Sequence, residues 1–200
     1  VSTPMGGTLD GFDPGQVLGM VQRHFGKLKR PARTLPVRYT VEPVQDGERE
    51  INVRRVGDLN LVGLAYHVPA ASHPDNAPLK VLAEIMGHTP SGRLHKALVE
   101  TKLAAGGGGS VDSFVEPGLA VFMTVPAQGS EPAQAEEVLL AQVEGLAAAP
   151  FTDAEVDASR QRIGNALELA FNDVNRVATS LSEAIAAGDW RLWVIQRDAL

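Results

Sequence analysis

Five histidines are the first residues in this sequence that could do chemistry: His24, His67, His73, His88 and His95. A zinc peptidase site needs two histidines on one helical turn with a glutamate base beside them, because both imidazoles must reach one metal. Neither His-x-x-Glu-His nor His-Glu-x-x-His occurs in the sequence. Pro69 and Pro90 each interrupt the chain between two neighbouring histidines, so neither pair shares a regular helix face. We expect surface or packing histidines, with no catalytic residue and no metal ligand.

A run of four glycines, Gly106 to Gly109, precedes Ser110 and is the next candidate for chemistry. A phosphate-binding P-loop would need a following Gly-Lys-Ser/Thr, and a dinucleotide-binding loop must open a helix. No lysine follows here, and the next residues have the pattern of a strand. Ser110 is not part of a Gly-x-Ser-x-Gly nucleophile elbow. The sequence therefore predicts a flexible loop, or an engineered linker, in preference to a nucleotide site.

Asp189-Trp190-Arg191 follows a predicted helix, with Trp193 close by. An exposed tryptophan could be a binding residue. A tryptophan at a helix end more often closes the core, with the arginine bonded to carbonyl groups or to a carboxylate. We expect that second arrangement.

The bulk composition excludes several functions. The 200 residues include 18 basic and 24 acidic side chains, a net charge of −6, which argues against a nucleic-acid surface. The sequence has no cysteine, so disulfides and thiol chemistry are excluded. No apolar run approaches the ~18 residues that span a bilayer, and no signal-peptide pattern is present. The chain begins at Val1 without a clear first element, and we expect an excised piece of a longer protein.

Helical patterns dominate the chain. Asp13 and Pro14 predict a helix start, and Thr152 with Glu155 predicts a capping box. Further helices are predicted near 75–87, from Ser91 to Leu98, over 135–146, over 152–170 and over 174–185, the last stopped at Gly188.

Strand patterns occupy the remaining segments. Alternation predicts a strand over 50–54, and the apolar run 61–66 predicts a central strand. Two further strands are predicted over 111–115 and 119–125, joined by a turn at Glu116-Pro117-Gly118. This order predicts an α+β fold, with helices packed on one face of a mixed or antiparallel sheet in two layers. A basic, proline-containing linker over 27–48 separates the end of a preceding domain, 1–26, from a domain over 49–200.

Several segments in sequence order resemble the pitrilysin/insulinase family of zinc peptidases. The segment 42–57 resembles the start of the second domain, and Tyr66-His67-Val68-Pro69-Ala70 continues the match. The segment 91–100 is similar to the family's Ser-x-Arg-Leu-Tyr-x-x-Leu-Arg-Glu helix, with His95 where tyrosine is common. The segments 150–156 and 188–192 fit long bacterial members, and 11–26 resembles the closing helix of the preceding domain. The likeness covers nearly all of the chain beyond residue 10.

This resemblance implies a fold like that of the mitochondrial processing peptidase, in the second domain of the first half. It places the inverted zinc motif in an upstream catalytic domain, so this chain should hold no cofactor while the parent binds zinc. The family holds substrate with an Arg and a Tyr in its later half, where this sequence has Val99 and Ala105. We expect a non-catalytic domain that supports the catalytic one and forms part of a chamber for a peptide or small protein.

The resemblance leaves two other roles open: an inactive scaffold subunit, or a peptide-binding module of the same fold, whose exposed sheet edge could accept an extended peptide. The candidate chamber-lining residues are Arg93, His95 and Glu100. Expected partners are the upstream catalytic domain and a peptide, with no nucleic acid and no membrane. Bacterial members suggest a periplasmic parent.

Overall fold

The computed structural model of the chain describes residues 13–29, 32 and 45–200. The chain divides into two compact units, Val1–Asp58 and Leu59–Leu200. The predicted linker over 27–48 lies largely outside the described residues, so it stays a prediction.

The first unit contains helix α1, Pro14–Phe25. Asp13 caps it as predicted, because its carboxylate accepts hydrogen bonds from the backbone N–H groups of Gly15 and Gln16. The strand predicted over 50–54 is wrong: the segment pairs with no strand, and Ile51 is 84% exposed. Alternation alone cannot form a strand, because the backbone groups of a strand need a neighbouring strand to bond with.

The second unit contains an antiparallel three-stranded sheet in the order β1-β3-β2. Its strands are β1, Val62–Val68; β2, Ala104–Asp112; and β3, Gly118–Pro126. β3 was predicted nearly to the residue, and the apolar run 61–66 was predicted as a strand in the centre of the sheet. That run forms β1 at an edge of the described sheet, where its larger side chains face the helices and Gly63 and Ala65 face away.

Helices connect and cover these strands: α2, Asn76–Gly87; a short π-helix, His95–Val99; α3, Pro132–Glu144, continued by a 3₁₀ turn, Gly145–Ala147; α4, Asp153–Phe171; α5, Val174–Ala186; and α6, Leu192–Asp198. All but α6 were predicted. Thr152 and Glu155 form the predicted capping box at the start of α4. Gly188 follows α5 with a φ of 108°, a conformation that L side chains rarely adopt, which explains why the helix stops there.

The core lies between the sheet and the helices. Helices α2 and α3 contact the sheet, and the fully buried side chains Met86, Leu98, Phe122 and Leu139 come from α2, the π-helix, β3 and α3. Phe122 packs from the sheet against the three residues of the helical layer, so one face of the sheet is buried. The predicted α+β fold, an antiparallel sheet with helices packed on one face, is confirmed.

Candidate functional site

Arg93 precedes the π-helix and binds the start of α4. Its Nε donates to Oε1 of Glu155 at 2.8 Å, and its Nη2 donates to Oε2 at 2.8 Å. Nη1 also donates to the carbonyl of Ala149 at 2.6 Å, and Nη2 to that of Pro150 at 2.9 Å. The guanidinium lies over the Phe151 ring, 4.7 Å from its centroid. Arg93 therefore joins two elements that are about 60 residues apart in the chain.

The same pair fixes the charge of Glu155. The hydrogen bond from Arg93, followed by those from the Thr152 backbone and hydroxyl, lowers the pKa of Glu155 from 4.5 to about 2, against the opposing effect of burial. The Thr152 N–H and hydroxyl both bond Oε2 of Glu155, at 2.8 and 2.9 Å. One carboxylate thus serves both the α4 cap and the contact with Arg93.

The other two candidate lining residues have no hydrogen bond or ion pair through their side chains among the described residues. His95 is half-buried in the π-helix, and Glu100 is exposed just after it. Their lining role, and that of Arg93, stays a prediction. At the positions matching the family's Arg and Tyr, Val99 is half-buried and Ala105 is exposed in β2.

The glycine run is a strand, so its interpretation as a flexible loop or linker is wrong. Gly107 and Gly109 belong to β2 and face the helical layer. A Cβ at Gly109 would lie 2.6 Å from the buried Phe122 ring, and one at Gly87 would lie 2.2 Å from the backbone nitrogen of Gly109. The strand is held by its pairing with β3, and the absence of side chains lets the end of α2 approach β2 closely.

The sheet has a second face, turned away from α2 and α3. Four apolar side chains of β3 form its central ridge: Leu119, Val121, Met123 and Val125. We call this second face of the sheet the open face, and these four side chains its ridge. Leu119 is 39% exposed and Met123 is 42% exposed. The residues that pair with the ridge on β1 and β2 are mostly small, as at Gly63, Ala65 and Gly108, so the ridge stands clear of its neighbours.

Sequence reasoning identified β3 but missed this face. The signal was present: large apolar residues alternate in β3, and the partners of Val121, Met123 and Val125 on the neighbouring strands are glycine, alanine or serine. Only Leu119 has larger partners, His67 and Asp112. Reading it requires the register, which the sequence does not supply.

Histidine positions give no metal centre in the described part of the chain, where no three His, Cys, Asp or Glu residues lie close enough to hold an ion. His88 lies 2.9 Å from the Ser91 hydroxyl through Nδ1 and 3.8 Å from Glu84 through Nε2. It therefore belongs to a local polar contact around the end of α2. Within residues 13–29, 32 and 45–200, no helix is both long and apolar enough to cross a membrane.

The two tryptophans differ from the expected arrangement in one respect. Trp190 is 55% exposed, so the prediction that it closes the core is wrong. Trp193 of α6 does pack, stacked on Phe171 with ring centroids 4.5 Å apart. Arg191 bonds the carboxylate of Asp189, as expected for an arginine at this position. The turn after Gly188 points the first ring outward and the second inward.

A profile of the peptidase M16 inactive domain matches residues 8–163. The chain belongs to the peptidase M16 inactive-domain family. The curated zinc protease PqqE of Helicobacter pylori is 32% identical over 147 residues, which are 71% of this chain and 33% of that protein. This M16 domain therefore spans about a third of the length of that relative.

Solved structures agree with this membership. A Bordetella parapertussis structure described as the inactive peptidase domain of a zinc protease is 42% identical, with a TM-score of 0.67 over 74% of this chain and 81% of that one. A protease from Helicobacter pylori shares the fold at 24% identity, with a TM-score of 0.85 over 94% of this chain and 46% of its own. The resemblance to zinc peptidases and the expected non-catalytic domain are confirmed.

Proposed function

We propose that this M16 domain supports the catalytic domain of a zinc-dependent peptidase and provides one wall of the chamber that receives the peptide. Membership of the inactive-domain family supports the non-catalytic part of this proposal. The name of the Helicobacter pylori relative supports a zinc protease as the parent. In this proposal the zinc ion belongs to the catalytic domain, because this sequence lacks the two-histidine motif.

The open face is the observation that carries the chamber role. Leu119, Val121, Met123 and Val125 form an apolar ridge on a sheet whose opposite face already packs against α2 and α3. Val121, Met123 and Val125 of the ridge border a shallow groove of about 360 Å³, together with Leu61 and residues of β2. Apolar surface of this kind on a folded domain is typical of a binding surface, because burying it there releases ordered water. An extended peptide fits such a surface by shape.

Strand β2 adds a second means of holding peptide. It lies at an edge of the described sheet, and its four successive glycines leave the backbone unobstructed by side chains. An edge strand presents N–H and C=O groups that an extended peptide can bond. His95 and Glu100, near the start of β2, are the side chains we expect a bound peptide to meet.

The test is a substitution on the open face of the zinc-loaded parent. Met123→Glu places a charge on the ridge, where Met123 is exposed enough for the fold to tolerate it. We expect kcat/KM for a long peptide to fall at least about fivefold, because a charge there opposes apolar contact. Leu169→Glu is the matched control, since Leu169 is 66% exposed on α4 and lies outside the ridge. It should leave kcat/KM unchanged.

Two results would count against the proposal. If the peptidase carrying Met123→Glu cleaves long peptides as fast as the unsubstituted peptidase does, the open face is not a chamber wall. The remaining role for the domain is then that of an inactive scaffold. If the purified 200-residue chain itself cleaves peptide and a chelator stops it, the non-catalytic assignment is wrong.

A further inference from the structure

A cavity of about 620 Å³ lies where the end of β2 meets α2, α4, α5 and α6. Its walls are mainly apolar, and they include Phe114, Ala184, Leu192 and Trp193. A volume of this size, with a few polar groups on apolar walls, is typical of small-molecule sites. No residue of the open-face ridge lines it, so it is separate from the surface assigned to the chamber.

Lys80 of α2 is the only cationic residue that lines this cavity among the described residues. Its Nζ donates to Oε1 of Gln196 at 2.6 Å, and Nε2 of Gln196 donates to the carbonyl of Ala71 at 2.9 Å. No carboxylate of the described residues lies within ion-pair distance of Lys80. An ammonium group has three donors, so two of them remain for a ligand.

Burial of Lys80 lowers its pKa, because the charged form loses solvation there. An anionic group in the cavity would oppose that effect and favour the charged lysine. The side chain is half-buried, and its neutral partner Gln196 orients it without neutralising it. An anion placed beside Lys80 would therefore stabilise its charged form.

A hydroxyl donor lies in the same wall. Ser113 accepts a hydrogen bond of 2.5 Å from Nδ2 of Asn76, so its own hydroxyl hydrogen is free to be donated. Asn76 is fully buried, and its Oδ1 has no partner among the described residues. A buried polar atom without a partner is uncommon in a folded protein. The wall of the cavity at Ser113 is therefore backed by a buried polar side chain, that of Asn76.

Two carboxylates also line the cavity and restrict where an anion can sit. Asp112 and Glu183 are both exposed, whereas Lys80 is half-buried. An anionic group is repelled at those exposed positions and attracted toward the lysine. The apolar part of the ligand then lies against Leu192 and Trp193, the second of which is held in place by stacking on Phe171.

We propose that this cavity binds an apolar molecule that carries a carboxylate, with the carboxylate on Lys80 and the apolar part against Leu192 and Trp193. Two sources share that chemistry: a small free carboxylic acid, and the C-terminal residue of a peptide. The proposal does not depend on the chamber role, because it uses none of the open-face residues.

The test measures binding to the 200-residue chain by titration calorimetry. Octanoate and octanamide form one matched pair of probes, and the peptide Ala-Ala-Leu and its C-terminal amide form the other. We expect at least one carboxylate to bind about tenfold or more tightly than its amide. Lys80→Met should remove that preference, and Lys80→Arg should keep it. Lys96→Met is the control, because Lys96 is exposed and lies outside the cavity.

Each outcome decides the proposal. Binding of octanoate alone identifies a free acid as the ligand type, and binding of the peptide alone identifies a C-terminus. The proposal is overturned if neither carboxylate binds at millimolar concentration, if both amides bind as well as the acids, or if Lys80→Met binds as the parent does. Circular dichroism of each variant shows whether it is folded, and Lys80→Arg keeps the test decisive if Lys80→Met unfolds.

Discussion

Arg93 and Glu155 face each other with two parallel hydrogen bonds of 2.8 Å, joining the π-helix region to the first turn of α4. The Arg93 side chain is 18% exposed and the Glu155 side chain is 31% exposed. Because Arg93 also serves the carbonyl groups of Ala149 and Pro150, its removal leaves several acceptors without a donor. The pair is therefore a structural contact of the domain, whatever further role Arg93 has toward a ligand.

Arg93→Ala should lower the free energy of unfolding by about 2–4 kcal/mol, because the partly buried Glu155 carboxylate loses its cation and two carbonyl groups lose their donor. Arg93→Lys should recover only part of this loss, since lysine lacks the two-pronged geometry. Urea unfolding followed by circular dichroism measures both. Arg191→Ala is the matched control: its pair with Asp189 is local and 65% exposed on the arginine side, so we expect the free energy of unfolding to stay close to that of the unsubstituted chain. Equal losses for the two alanine variants would contradict this prediction.

The pH dependence of stability should report the same pair. Glu155 has its pKa lowered from 4.5 to about 2 in the folded chain, so its contribution is complete above the unfolded value and is lost as pH falls toward the folded value. Between about pH 6 and about pH 3 the free energy of unfolding of the unsubstituted chain should fall by roughly 1–2 kcal/mol more than that of Glu155→Gln, allowing for solvent screening. Urea unfolding at both pH values measures the difference. Identical slopes for the two proteins would show that Glu155 titrates normally.

The glycine strand should tolerate substitution on one face only. Gly109→Ala places a Cβ 2.6 Å from the Phe122 ring, which is buried and cannot move away, so we expect a loss of about 1–3 kcal/mol. Gly106→Ala points into open space and should change stability by about 0.5 kcal/mol or less. Thermal unfolding of the two variants gives the comparison. A loss at Gly106 as large as that at Gly109 would argue against the register described here.

Gly164 offers a stabilising substitution. It lies inside α4, where an added Cβ meets nothing within 4 Å. Gly164→Ala should raise the free energy of unfolding by about 0.5–1 kcal/mol, because glycine gains more freedom than alanine when the helix unfolds. The midpoint of thermal unfolding should rise. A fall would mean that this surface of α4 carries a contact absent from the structure.

The sequence by itself determined the helices and most of their ends. Asp13, the Thr152–Glu155 box and Gly188 act within a few residues of the chain, through hydrogen bonds and backbone angles that local sequence controls. The alternation of apolar residues in β3 also predicted that strand. The resemblance to the peptidase family came from short segments that follow one another in the order typical of the family. Such features need no knowledge of what lies across the fold.

Only the tertiary structure decided the rest. Glycine is conformationally permissive, so Gly106–Gly109 form a strand only because β3 supplies partners for their backbone groups. The close approach of Phe122 leaves no room for a side chain at Gly109, and that of Gly109 leaves none at Gly87. The segment 50–54 alternates yet forms no strand, because no partner strand supplies its hydrogen bonds. Lys80 and Gln196 are 116 residues apart, and they meet only because α6 packs near α2. Contacts between distant segments depend on the whole fold, and no local pattern encodes them.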